Sequence, residues 1–430
     1  MLLLILLLLT MGTGFFVFNA VSSVSLNAAN NRHDERALTE TRDALIAWSV
    51  ARGETASDIT GASNDRPGEF PCPDTKAPSD VNYGTQDASC TSGKLGRVPW
   101  KTLGIAEPKD AYGETLWYAV DGPFRKYSLS SAPITSNTVG TRTVYSGSTA
   151  TTVTTQAVAV LFAPGPILEL ATAQRRETAA EKTTASNYLE STGGANNSTN
   201  NGPFIMAPAS TTFNDRILVI TAAELMPLVE QRVAREMMAI LAQYKAATAT
   251  STLYSGGVYP WADLANGDSN DGSNGAYNRG RLPCGSALPV DWNEDVPSSS
   301  PSTKTPRLPL WLTNGCWSTG WTFLIYYAVA KNRLEYAGLG SGSPLWIPGC
   351  GTCTSTTLRV DGVYGYELLL LTPGAYLGNP PGPARNWPTS YSTITGYFED
   401  SENADNNNDN FVTPTVSVKA YNRDRIFKLP

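Results

Sequence analysis

The sequence predicts an α+β protein in which a long N-terminal transmembrane helix is followed by two tandem heads with antiparallel sheets. Three observations carry that expectation. No charged residue precedes Arg32. Neither proline nor glycine interrupts residues 22–52. Beyond that helix, an ordered set of motifs returns at a single offset of 209 positions.

Composition narrows the function classes. The 430 residues are enough for two or three domains. Charged residues make up only 16% and the net charge is −6, which argues against a partner with a phosphate backbone, so no nucleic acid is expected. His33 is the only histidine, so a His-based triad or multi-histidine metal site has at most one member to draw on. Neither a Walker loop nor a GxGxxG fingerprint occurs. No enzymatic activity is therefore expected from these motifs.

Residues 1–18 read MLLLILLLLTMGTGFFVF. About 20 apolar residues cross a hydrocarbon core of about 30 Å, so this run reads as a retained anchor. A cleaved signal peptide and a buried core helix are the alternatives. The helix pattern continues to residue 53, where Gly53 offers a C-terminal stop. Leu38, Leu45 and Ile46, with Ala37 and Ala44, share one stripe, and charged residues fill much of the rest. Residues 1–53 are thus expected to be membrane anchor and stalk.

The repeat defines the heads. Leu116–Val120 returns as Ile325–Val329, Phe162–Gly165 as Leu371–Gly374, Tyr188–Glu190 as Tyr397–Glu399, and Asp215–Ile217 as Asp424–Ile426. Arg176 and Arg385 share the same offset. Earlier in each copy, Phe70-Pro71-Cys72 answers Tyr259-Pro260-Trp261, and Gly96–Trp100 answers Gly280–Cys284, at shorter offsets. The expected division is a first head over 54–222 and a second over 223–430. The second carries its own helix at 224–247, with a Val233, Met237, Ile240, Leu241, Tyr244 stripe. Strands are expected at Leu116–Val120, Ala157–Phe162, Arg216–Ile220, Phe323–Ala330, Tyr366–Leu371 and Arg425–Leu429, which are apolar, largely β-branched or aromatic runs between turn residues.

A hydrophobic first half, an amphipathic second half, a stop near residue 53 and a β-rich head resemble a type IV pilin or type II secretion pseudopilin. The Phe70–Asp74, Leu95–Trp100 and Leu116–Val120 segments are similar to heads of bacterial prepilin-like proteins. Position 5 is Ile5, where most of the family carries glutamate. The resemblance implies two pilin-like heads in a minor structural or assembly subunit. It also implies a bacterial inner-membrane anchor, periplasmic heads, and other pilin or pseudopilin subunits as partners. The other readings are a membrane-tethered periplasmic enzyme using acids such as Glu399 and Asp400, a glycan-binding protein and a surface adhesin.

Six cysteines follow the helix: Cys72, Cys90, Cys284, Cys316, Cys350 and Cys353. An even count fits disulfides in an oxidising compartment, and pairing within each copy gives Cys72–Cys90, Cys284–Cys316 and Cys350–Cys353 among fifteen connectivities. The Cys350–Cys353 CxxC reads as a structural hairpin, a redox dithiol or part of a zinc site. Asp263, Asp268, Asn270 and Asp271 lie in a loop with the composition of a calcium site, the only cofactor suggested, and a second such loop follows Glu399. Solvated turns use the same residues. Trp311, Trp317, Trp321, Phe323, Tyr326 and Tyr327 form either a carbohydrate platform or a core strand.

Overall fold

A computed structural model describes residues 2–52, 66–90, 94–125, 134–147, 149–168 and 174–249. Beyond these it describes 257–259, 279–281, 321, 325–330, 333, 357–372, 374, 398, 403, 409–413, 416–417, 420–421 and 425–429. The chain divides into two compact units. The first holds Met1–Ser49, Phe70–Lys126 and Val139–Ala222; the second holds Val50–Glu69, Tyr127–Thr138 and Ala223–Pro430.

In the first unit, helix α1 (Leu2–Ala51) has described side chains from Leu26 onward. These bury Asp34, Leu38, Thr41, Leu45 and Ser49, a stripe whose spacing follows the 3.6-residue turn. Arg32, Glu35, Arg36, Glu40 and Asp43 stay exposed. Such a face, with polar groups inside and charges outside, packs on protein rather than lipid. Among the described residues no helix is long and apolar enough to cross a membrane. The expected transmembrane anchor is therefore corrected, and the inner-membrane placement with periplasmic heads, which rested on it, falls too. The side chains of residues 1–18 lie outside the described residues.

The unit continues through β1 (Lys94–Arg97), helix α2 (Trp100–Leu103), β2 (Trp117–Val120), β3 (Arg142–Ser146) and β4 (Thr151–Ala163). Then come helix α3 (Ala179–Thr183), the short pair β5 (Ser191–Thr192) and β6 (Ala195–Asn196), β7 (Phe204–Met206) and β8 (Arg216–Thr221). The sheet order is β1-β2-β4-β3-β7, with β8 also on β4. Strand β3 pairs with β7 in parallel, so the sheet is mixed and the expectation of antiparallel sheets is corrected. Parallel pairing needs a long connection, which the chain between β3 and β7 supplies. Gly96 is required by contact: a Cβ there would lie 2.6 Å from the Asp74 carbonyl oxygen, which accepts the Arg97 amide. The Cys72–Cys90 disulfide forms as expected, closing an 18-residue separation.

In the second unit, helix α4 (Ala222–Thr248) is followed by β9 (Arg279–Arg281), β10 (Tyr326–Val329), β11 (Leu358–Val360) and β12 (Val363–Tyr366). It ends with β13 (Leu368–Thr372), β14 (Asn410–Phe411), β15 (Val416–Ser417), β16 (Ala420–Tyr421) and β17 (Arg425–Leu429). One sheet runs β17-β13-β10-β9, another is β12-β11-β14 with a parallel β11–β14 pair, and β15 and β16 form a ribbon.

Each unit contains the same four-stranded antiparallel ladder. In the first it is β1-β2-β4-β8, in the second β9-β10-β13-β17. Trp117 faces Phe162 and Tyr326 faces Leu371; Ala163 faces Arg216 and Thr372 faces Arg425. All eight positions keep the offset of 209. Gly165 and Gly374 both take left-handed φ, 70° and 64°. Off the ladder, the Phe70 amide donates to the Phe124 carbonyl and the Tyr259 amide to the Arg333 carbonyl, each at 2.7 Å.

The last strand of each ladder also ties to its helix, in different surroundings. Arg216 reaches Glu35 of α1 at 2.9 Å, and the Glu35 side chain is 68% exposed. Arg425 pairs with Glu230 of α4, whose side chain is only 3% exposed and also accepts from Ser136 and Thr372. Breaking a buried pair strands a charge, whereas an exposed pair contributes little. Arg425→Met is expected to destabilise its ladder by about 3 kcal/mol, and Arg216→Met by less than about 1 kcal/mol. Hydrogen exchange of the amides of residues 369–371 and 160–162 checks each unit separately; equal losses would contradict the assignment.

Candidate functional site

A described cleft lies within the first unit, along α1. It has a volume of about 460 Å³ and is walled by His33, Arg36 and Glu40 on the helix and by Glu107, Lys109 and Asp110 opposite. The sole histidine therefore sits at its edge. His33 Nδ1 is 3.9 Å from Asp34 Oδ1, but the Asp34 carboxylate is already committed, accepting the Ala111 amide at 2.7 Å. That bond and one from Asn30 to Tyr112 (3.3 Å) bind the helix to the 110–112 turn.

The other acids are similarly engaged. Glu107 accepts from Tyr83 and Thr115, both at 2.6 Å. Burial would raise its pKa, but these hydrogen bonds hold it below the ordinary carboxylate value, while burial and Glu107 together push the Tyr83 phenol up. Asp110 accepts the amides of Tyr112, Glu114 and Gly165 at 2.9, 2.9 and 2.8 Å. Burial outweighs those bonds and raises its pKa. Arg36 pairs with Glu40 at 2.6 Å on the exposed rim. The cleft walls are thus a seam between helix and head, with mixed charge at the mouth.

A second cluster lies in the disulfide loop. Lys76 Nζ donates to Asp74 (3.1 Å), Asp87 (2.8 Å) and the Thr85 carbonyl (2.8 Å), so an ammonium fills an oxygen-lined cage. Burial disfavours the Asp87 carboxylate, yet hydrogen bonds from Lys76, Lys94 and Thr75 prevail and hold its pKa at about 2. Nearby, Arg97 stacks on Tyr83, Trp117 and Tyr188 at 5.8, 5.1 and 5.4 Å from the ring centres. Sequence reading placed Arg97 only in the repeated Gly96–Trp100 motif, because its Trp117 and Tyr188 partners are distant in the chain; Lys76 carried no motif, although its partners lie within the same disulfide loop.

Of the residues expected to carry chemistry, Tyr326 and Tyr327 lie on a core strand and Trp321 is buried, which places them inside the second unit. Asp263, Asp268, Asn270 and Asp271, the proposed calcium loop, lie outside the described residues. So do Cys284, Cys316, Cys350 and Cys353, Glu399 and Asp400, and Trp311, Trp317 and Phe323. Comparison of the chain with family models, curated proteins and solved structures gives no match.

Two outcomes follow from these contacts. Asp34→Ala leaves the Ala111 amide without its acceptor, at an expected cost of about 1–3 kcal/mol; faster exchange of residues 34–45 and 111–113 checks it. The Asp87 pKa is depressed, so the stability it contributes is present above about 3.9, its unfolded value. That contribution is lost as pH falls through about 2. Acid titration should therefore loosen residues 74–87 in that window, and Asp87→Asn should remove the dependence.

Proposed function

We propose that the chain is a structural or assembly subunit built from helix-and-head units of the pilin and pseudopilin kind, with no membrane anchor required by the reading. The observation that carries it is the repeated plan. Each unit sets one long helix against the same four-stranded ladder, tied by a glutamate on the helix and an arginine on the last strand. Ionisable groups along the α1 seam hold helix to head, while Arg36, Glu40 and Asp43 leave the outer face of α1 charged with both signs. A charged helix face of this kind matches a second helix of complementary pattern. The Cys72–Cys90 bridge suits a chain that folds in an oxidising compartment.

The reading predicts contacts on α1. A photo-crosslinking residue at Arg36 or Asp43, in the cell that makes the chain, should give discrete adducts with a second copy or another helix-and-head subunit. The same residue at Val81, exposed in the disulfide loop, should not. Adducts from Val81 alone, or no adducts from α1, would overturn the reading.

A further inference from the structure

One buried cluster in the first unit has no part in the helix seam. Glu190 and Asp215 are 4% and 3% exposed, and each accepts the other's backbone amide, at 3.3 and 2.9 Å. Glu190 also accepts the Asn214 amide at 2.9 Å and the Gln174 side chain at 2.6 Å. Asn197, fully buried, donates to Asp215 at 2.9 Å and bonds both backbone groups of Ile205, at 2.8 and 3.1 Å. These bonds fasten a strap, residues 189–206 including β5, β6 and β7, to the start of β8.

Two carboxyls this close and this buried need a cation or a proton. Among the described residues no lysine, arginine or histidine is ion-paired with either. Arg176, from the neighbouring loop, goes to Glu114, the Gly165 carbonyl and Gln174 Oε1. Arg216, next to Asp215, goes to Asn31 and Glu35. Asp110 takes the Gly165 amide. Asp215 Oδ1 is buried without a donor. A second negative charge here would be unpaired in a low-dielectric site. The same acids recur in the second half of the sequence as Glu399 and Asp424, with Arg385 for Arg176, at the offset of 209. The two acids are thus repeated in the sequence.

We propose that Glu190 and Asp215 form a proton-held latch, in which one shared proton keeps the 189–206 strap closed and its loss on raising pH opens it. Burial, then the neighbouring Glu190 charge, keeps Asp215 protonated well above the ordinary carboxylate range, and burial raises Glu190 as well. The sign is the reverse of that for Asp87. A raised folded pKa contributes stability at low pH that disappears as pH rises through it. This inference does not rest on the assembly reading, because the strap and the outer face of α1 are separate surfaces.

The test is hydrogen exchange of the intact protein between about pH 5 and about pH 9, with each rate divided by its intrinsic value. One released proton makes the strap's opening constant rise about tenfold per pH unit from the ordinary carboxylate range up to the latch pKa, and level off above it. The rise should be confined to residues 189–214, with residues 117–120 unchanged. Asp215→Asn keeps the shape and replaces the shared proton with amide hydrogens, so its slope should be zero; Glu190→Gln provides the same test if the first variant does not fold. A flat wild-type profile, or a slope surviving in either folded variant, would overturn the latch.

Discussion

The first unit depends on burying one uninterrupted apolar run. Residues 157–163 have seven consecutive side chains at 1% exposure or less. A strand buried on both faces must be flanked by other strands and covered above and below. Strand β4 meets that demand by pairing with β2 and β8 over this stretch, while its exposed N-terminal half extends along β3. The clustered Trp117, Phe162, Tyr188 and Phe204 fill one side, with Trp117 against Tyr188 and Phe162 against Phe204 at ring separations of 5.2 Å. The second unit meets the same constraint with Leu368–Leu371, all buried between β10 and β17.

Around those cores, burial forces carboxyl groups into different solutions. Glu230 takes an arginine and two hydroxyls. Asp87 takes two lysines and a threonine hydroxyl and stays ionised into acid. Glu190 and Asp215, without a cation, rely on backbone amides and a retained proton. The same amino-acid type is therefore acid-sensitive at one site and base-sensitive at another, because the partner decides which protonation state the fold favours.

The two ladders also show how an equivalent position acquires a different energetic weight. Glu35 and Glu230 both receive the arginine from the last strand, yet only Glu230 is shielded from water. Helix α4 buries a broader face, including Leu225, Met226, Met237 and Leu241, than the described part of α1 does. Helix α1 carries polar residues on the corresponding flank, which suits a face left open to water or to a partner.

The sequence by itself determined where the principal strands form. Runs rich in Val, Ile, Leu, Tyr and Phe between turn residues became β2, β4, β8, β10, β13 and β17 because such side chains fit a buried pleated surface. Its offset of 209 also contained the register, since matched runs pair in matched ways. The Cys72–Cys90 bridge was legible from proximity in the chain. Through-space relations were not. Hydrophobicity at residues 1–18 suggested a membrane, whereas among the described residues no helix is long and apolar enough to cross one; the described part of α1 turns Asp34, Thr41 and Ser49 toward a head. The parallel β3–β7 pair and the Glu190–Asp215 contact join segments whose local patterns carry no sign of each other. Only the tertiary structure decided them, because burial, and with it the need for a counter-charge or a proton, exists only once the chain has closed around the site.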